Sequence, residues 1–452
     1  MRTEEYIRTL TEQIRCKMAR GEVTDEIRTH IEEQTKAYMS EGMERGEAEE
    51  AAVCDMGDPV EVGTELDRIH RPQMPWGMIA FIIILSVLGL GVQYFIQQRF
   101  VESGGDGILS WERRIVYMAV GLAVMAGVCF IDYTRIAARA REMMVLLFAA
   151  LFLGSALFGV KINGAARWIA LPGGLTLNIP MVLLLTVPLY AAVLYRCRGK
   201  SWTGIIKAVL WMLPGIFLAF YVCSFSTAAI LLFSYVVVFG LSVWQGWYFV
   251  PRKLCLGALT VTALLPAVPV VYVMLFRPLY QWERLVYFLS PMDGWGKDIS
   301  YTREFVRALL GNSRFLGEGG GLPASGMPEA PLNFLLAGVA AYFGLIAAVL
   351  LGGAVLALFI RFLKISLRQR NQLGMVMGTG CAVVFLIEIL LCFMNNMGII
   401  YAENYCPFLM NGGSGMVVSY LLMGIVLSIF RYQNTAPERR YPENRYAREK
   451  AV

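Results

Sequence analysis

Histidine is nearly absent from this chain: there are two, His30 and His70, and both precede the first long apolar run. A zinc site or a histidine-based triad needs more imidazole than that. The nine cysteines form no Cys-x-x-Cys pair. Cys129, Cys223, Cys255, Cys381 and Cys392 fall in or beside apolar runs, where a thiol serves as a small hydrophobe. Charge is scarce too, at 16% of residues against roughly 25% in soluble domains. No Gly-Lys-Ser/Thr follows the Gly-rich stretch RFLGEGGGLPASGMPEAP, which excludes a nucleotide loop and leaves a lid or an irregular chain lining a cavity. The bases are scattered between apolar runs, so nucleic acid is not expected as a partner.

What is abundant is apolar. Hydrophobic residues make up 57% of the 452, and the mean hydropathy is +0.55. Ten apolar segments recur, at about 76–97, 115–133, 143–160, 179–196, 206–222, 225–243, 254–276, 333–359, 374–397 and 413–430. Runs of this length predict an all-α, polytopic membrane protein with ten transmembrane helices over 76–430. Basic stretches (RIAARAR, RCRGK, PRK, RFLKISLRQR) follow the second, fourth, sixth and eighth segments, and a basic tail fills 431–452. The positive-inside bias then puts both termini in the cytoplasm.

The first 75 residues are of another kind. They carry 18 acidic and 10 basic side chains, a net of −8, while the remainder carries 16 and 30, a net of +14. They are too polar for a secretory signal. Tyr6, Leu10, Ile14 and Met18 share one helical face, and Ile27, Ile31 and Tyr38 share another behind Thr24 as an expected cap. A third helix, a turn at Gly57-Asp58-Pro59 and a fourth helix complete a small cytoplasmic helical domain over 1–70, joined by a linker at 71–75.

Several stretches could carry chemistry. By these spans Glu388 is the strong case of a charge inside the bilayer, either functional or hydrogen-bonded to a neighbouring helix. The loop VKINGAARWIALPGGLTLNIP sets Arg167 beside Trp168. That pair suits an anchor at headgroup depth or a grip on a lipid diphosphate. CPFLMNGGSG opens the last segment with Gly412, Gly413 and Ser414, whose exposed amides suit an anion or cap the helix. The long loop at 277–332 contains YQWERLVYFL, amphipathic enough to lie along the bilayer.

Taken in order, NGAARWIAL, ERLVYFLSP, RFLGEG, MPEAPLNFLLAGVAAYFGLIAAVLL and CPFLMNGGSGMVVSYLLMGIVLSIFR resemble five landmarks of the RodA/FtsW/SpoVE (SEDS) family. The resemblance covers about 76–430. It implies a role in peptidoglycan synthesis, cell shape, division or sporulation in a bacterial plasma membrane, with lipid II as the lipid-linked substrate and a class B penicillin-binding protein as partner. It assigns Arg167, Trp168, Arg284, Gly412, Gly413 and Ser414 to substrate binding. No cofactor or metal is expected from the residues, although the family leaves room for a divalent cation. The acidic prefix is similar to the permease-prefix helical domain, which implies docking or regulation.

The departures matter more. The family's catalytic Asp, the base for the acceptor sugar hydroxyl, falls on Asn333, and an amide cannot take up a proton at neutral pH. Other family acids fall on Met181, Ser224, Ala341 and Tyr342. Three functions stay open on this reading: a divergent glycosyltransferase with Glu329 as substitute base, a catalytically impaired regulatory or scaffold protein, and a lipid-precursor transporter.

Overall fold

The computed structural model describes residues 2–102, 111–162, 165–172, 175–264, 297–319, 334–369, 371–400, 405–410 and 412–433. Two compact units emerge. One comprises residues 1–75 with 369–372 and 429–440, and the other comprises 76–368, 373–428 and 441–452.

In the first unit four helices enclose a small core: α1 (Thr3–Gln13), α2 (Lys17–Ser40), α3 (Arg45–Asp55) and α4 (Pro59–His70). Tyr6, Leu10, Ile14, Ile27 and Ile31 all enter that core, as the helical spacing predicts. Two details differ from expectation. The chain breaks between Gln13 and Lys17, so Met18 belongs to α2, and Thr24 lies inside α2 rather than at its start. The break is fixed where the Arg15 N–H donates to Asp67 Oδ1 at 2.7 Å. The Gly57-Asp58-Pro59 turn is as read: Gly57 has φ +79, Asp58 accepts from the Val60 N–H, and Pro59 starts α4. In the linker, the Gln73 N–H donates to the Arg431 carbonyl at 3.1 Å.

In the second unit, eight helices are long and apolar enough to cross a membrane: α5 (Trp76–Glu102), α6 (Trp111–Phe130), α8 (Ala140–Phe158), α11 (Trp202–Tyr221), α12 (Phe225–Trp244), α16 (Leu345–Leu367), α17 (Gln372–Asn396) and α18 (Gly413–Arg431). The ten apolar segments are thus eight long helices and two shorter stretches among the described residues. The fourth segment is broken into α9 (Ile179–Leu183) and α10 (Thr186–Tyr195), and the seventh is described as α13 (Arg252–Leu264). A short helix, α7 (Tyr133–Ala138), precedes α8, and α14 (Lys297–Gly311) is the described helix of the long loop. YQWERLVYFL lies outside the described residues.

The breaks have local causes. Pro188 removes an N–H inside the fourth segment. There the Thr186 hydroxyl donates to the Leu183 carbonyl at 2.6 Å and lies 2.5 Å from the Tyr235 hydroxyl. These residues are buried, and the Tyr190 ring packs tilted against that of Tyr235, with centroids 4.7 Å apart. The fourth segment, expected as one transmembrane helix, is instead broken and buried.

The eighth segment, expected as one helix over 333–359, is α15 (Leu335–Phe343) and α16, divided at Gly344. Gly344 sits at φ 95, ψ 160, where only glycine rests without strain. A Cβ there would stand 2.7 Å from the Phe315 carbonyl oxygen. The neighbour is the stretch 314–319. Its Arg314 carbonyl accepts from Leu345, its Phe315 carbonyl accepts from Ile346, and its Gly319 N–H donates to Ala341. Gly344→Ala is expected to destabilise the protein by about 2–3 kcal/mol, read as a lower melting temperature in detergent.

A small sheet was not foreseen. Between α8 and α9 the chain makes a three-stranded antiparallel meander, β1 (Gly159–Ile162), β2 (Ala165–Leu171) and β3 (Leu175–Asn178), with a bulge at Val160/Lys161. The Asn-Gly and Gly-Gly pairs read as turns lie outside the described residues, between its strands.

Candidate functional site

Asn333, Glu329 and Arg284 lie outside the described residues, but the helix that follows Asn333 is fully described. Phe334 is its N-cap position and α15 starts at Leu335. A helix start leaves its first amides without partners. One of them, the Ala337 N–H, donates to Asn396 Oδ1 at 3.0 Å. Asn396 is held in turn, because its amide nitrogen donates to the Cys392 carbonyl at 2.8 Å and approaches Cys392 Sγ at 3.4 Å. The end of α17 therefore fixes the start of α15, next to position 333.

Asn396 belongs to a stripe. Glu388, Cys392, Asn395 and Asn396 are all buried on α17, at i, i+4, i+7 and i+8. Glu388 is 1% exposed, and its Oε2 accepts the Tyr405 N–H at 2.9 Å. The intramembrane acid thus pins the segment that leads to α18. Of its two readings, this geometry supports the hydrogen-bonding one.

Asn396 went unnoticed in the sequence, although the spacing in EILLCFMNN carries the signal. Asn396→Ala is expected to cost about 1–2 kcal/mol and to speed amide exchange at Leu335–Ala337. Asn396→Asp keeps the acceptor for Ala337 but loses the donor to the Cys392 carbonyl, so exchange at Leu335–Ala337 should stay slow while stability still falls; hydrogen–deuterium exchange reads the first and the melting temperature the second.

The glycines of the last landmark are shaped by rings. Tyr405 lies 3.2 Å from where a Gly412 Cβ would be and 2.6 Å from that of Gly415, while Tyr117 lies 2.6 Å from that of Gly413. Close aromatic packing accounts for them. Ser414 does something else. Its hydroxyl accepts the Asn178 N–H at 3.2 Å, and the Asn178 side chain caps α9 by accepting from Met181 at 3.3 Å. The start of α18, the end of the meander and the start of α9 are thereby tied together.

Arg167 and Trp168, side by side in sequence, are parted by the strand, since consecutive residues of β2 point to opposite faces. Trp168 is half-buried, paired across the sheet with Val160 and Asn178. Arg167 is 4% exposed and turned inward. Its Nε donates to the Val222 carbonyl at 3.2 Å and its Nη2 to that of Cys223. Those carbonyls end α11, where a cation satisfies both the unpaired oxygens and the helix dipole. The expected joint grip on a phosphate therefore gives way to a brace at a helix end, next to Cys223 at φ 55.

The positions of the family's other acids are filled by groups with internal roles. Met181 is buried in α9. Ser224 is buried, and its hydroxyl donates to Thr227 Oγ1 at 2.9 Å. Ala341 and Tyr342 are buried, with Tyr342 edge-on to Phe95 at 6.2 Å. Among the described residues no three His, Cys, Asp or Glu side chains are gathered to hold a metal ion.

Known proteins share this arrangement. A family model described as cell cycle protein, FtsW/RodA/SpoVE, matches residues 75–435. The probable peptidoglycan glycosyltransferase FtsW of Alcanivorax borkumensis is 27% identical over 359 residues, covering 76% of this chain and 90% of its own length. The protein of the same name from Thioalkalivibrio sp. is 27% identical over 406 residues, covering 86% and 96%. Among solved structures, one concerned with the coordination of polymerization and crosslinking by a peptidoglycan synthase complex superposes with a TM-score of 0.61 at 21% identity, over 80% of this chain and 98% of that one. The rod shape determining protein RodA of Thermus thermophilus gives 0.54 at 18%, over 79% and 97%.

Proposed function

Since the chain belongs to the FtsW/RodA/SpoVE family and is a multi-pass bacterial membrane protein of peptidoglycan synthesis, we propose that it binds lipid II at the meander end of the bundle without the carboxylate base of a glycan polymerase. The observation that carries this reading is the set of substitutions at the family's acids. Asn333 replaces the base, and the described positions Met181, Ser224, Ala341 and Tyr342 are buried within the protein itself. Losing one general base lowers a rate about 10²–10⁴-fold. In this reading Asn333, Glu329 and Arg284 act on the substrate, and Trp168 meets the lipid headgroups. The meander faces the cell exterior, and both termini are cytoplasmic by the distribution of basic loops.

A class B penicillin-binding protein is the proposed partner. A structural neighbour described as a synthase complex coupling polymerization with crosslinking supports it. The protein would then dock or regulate that partner, with the acidic prefix as a second contact.

A second reading, a divergent polymerase with Glu329 as base, is favoured by relatives named as probable glycosyltransferases. Purified protein incubated with lipid II separates the two. Retained lipid II binding with polymer at background is the expected result. Robust polymer that disappears in Glu329→Gln would overturn it.

A further inference from the structure

Arg114 is among the largest fully buried side chains of the protein, at 2% exposure. It stands in the first turn of α6, yet does not reach out to solvent as an arginine near a helix end ordinarily does. Its neighbours Ile115 and Val116 are exposed on the apolar flank of the bundle, while Arg114 points inward. There it meets little. Nη1 lies 3.5 Å from Gln93 Oε1, and the guanidinium lies 5.9 Å from the Trp111 ring. Nε and Nη2 have no hydrogen-bond partner, and among the described residues no carboxylate lies within ion-pair distance. A buried charge without a counter-ion is among the most destabilising arrangements a protein can hold.

A largely apolar cavity with a few polar groups lies next to Gln93, whose amide nitrogen donates to the Phe408 carbonyl at 3.3 Å. Gln93, which touches Arg114, lines this cavity of about 20 Å³ together with Tyr405, Phe408 and Tyr420. That volume holds one oxygen-sized group. Tyr405 is buried, and its hydroxyl has no partner. Tyr117, one turn beyond Arg114 on the same face of α6, abuts Gly413, so the positive end of the α18 dipole adds to the field. Tyr94 and Trp111, with rings 4.8 Å apart, stand at the same end of α5 and α6 as aromatics do at a membrane interface.

We propose that this pocket between α5, α6 and the 405–410 segment binds the phosphate of a membrane phospholipid. One phosphate oxygen enters the cavity toward Gln93 and Tyr405, and Arg114 neutralises the group from the side. The lipid tails lie along the exposed flank of α5 and α6, where Leu88, Val101, Val116 and Val120 face outward. Apart from the start of α18 at Gly413, the site uses none of the residues assigned to lipid II, and its test reads phospholipid retention, so it stands or falls independently of the proposed function.

The test compares the full-length protein in maltoside detergent alone, with phosphatidylglycerol, with diacylglycerol, which has the same tails without phosphate, and with inorganic phosphate. Melting temperature and lipid retained in native mass spectrometry are both read. Phosphatidylglycerol is expected to raise the melting temperature of the wild type and to be retained, whereas diacylglycerol is not. In Arg114→Gln retention should fall at least about tenfold, the loss of one charge-assisted hydrogen bond. Arg114→Lys, which keeps the charge with fewer donors, should fall between, and serves if the glutamine variant fails to fold. Arg113→Gln removes the same charge from the exposed neighbouring position and should respond like the wild type. Unchanged retention in both Arg114 variants, or a diacylglycerol response equal to that of phosphatidylglycerol, overturns the site. Equal protection by inorganic phosphate overturns the lipid assignment.

Discussion

Asn333→Asp is expected to raise polymerisation of lipid II by about 10²-fold or more. The amide can orient the acceptor sugar hydroxyl but cannot take its proton, whereas a carboxylate does both. Its location favours the change. Position 333 directly precedes the N-cap Phe334, and a negative charge beside a helix start is stabilised by the dipole, so the new carboxylate should be ionised and should not weaken the fold. The measurement is labelled lipid II chased into polymer, with and without the penicillin-binding partner, beside a melting curve. Gain of polymer at unchanged stability would show that the groove still accepts substrate and lacks only its base. If lipid II binds and no polymer forms, the missing acids at Met181 and Ser224 are as limiting as the base itself.

Arg167→Met should cost about 3–4 kcal/mol, the loss of two charge-assisted hydrogen bonds from a buried guanidinium. The methionine fills a comparable apolar volume and removes the Arg167 donors from the Val222 and Cys223 carbonyls. A brace and a substrate grip make different predictions. The brace lowers the melting temperature by several degrees whether or not lipid II is present. A grip would leave the melting temperature alone and weaken lipid II binding. Arg167→Lys, with its single ammonium, should recover part of the loss, since it can serve one carbonyl well but not both in a fork.

Much of the fold was legible because membrane helices announce themselves by length and apolar content. Among the described residues seven of the ten apolar segments are single long helices and an eighth is a long helix behind a short one, and the prefix core follows from helical spacing at Tyr6, Leu10, Ile27 and Ile31. Hydropathy reports how apolar a segment is and not whether it is continuous. That is why the breaks near Pro188 and at Gly344 were missed, although proline and glycine were both visible there. The meander escaped for a different reason. A strand needs a partner, and hydropathy along one stretch does not show that Trp168 pairs with Val160 and Asn178.

The site divides along similar lines. Arg167, Gly412–Ser414 and Glu388 sit at junctions between elements, and their partners are backbone carbonyls, backbone amides and rings, which no motif names. Arg114 was placed one residue before the second span; the helix starts three residues earlier, and that shift turned a loop cation into a buried one.

The strap at 314–319 has a mechanical consequence. It is bonded to Ala341 on one side of the Gly344 break and to Leu345 and Ile346 on the other, so it splints the hinge that glycine would otherwise supply. A pull on α14, which continues into the strap, is delivered to α15 as a rigid lever, whose other end carries the residue next to Asn333. A force on the described part of the long loop thus reaches the start of α15 through three backbone hydrogen bonds.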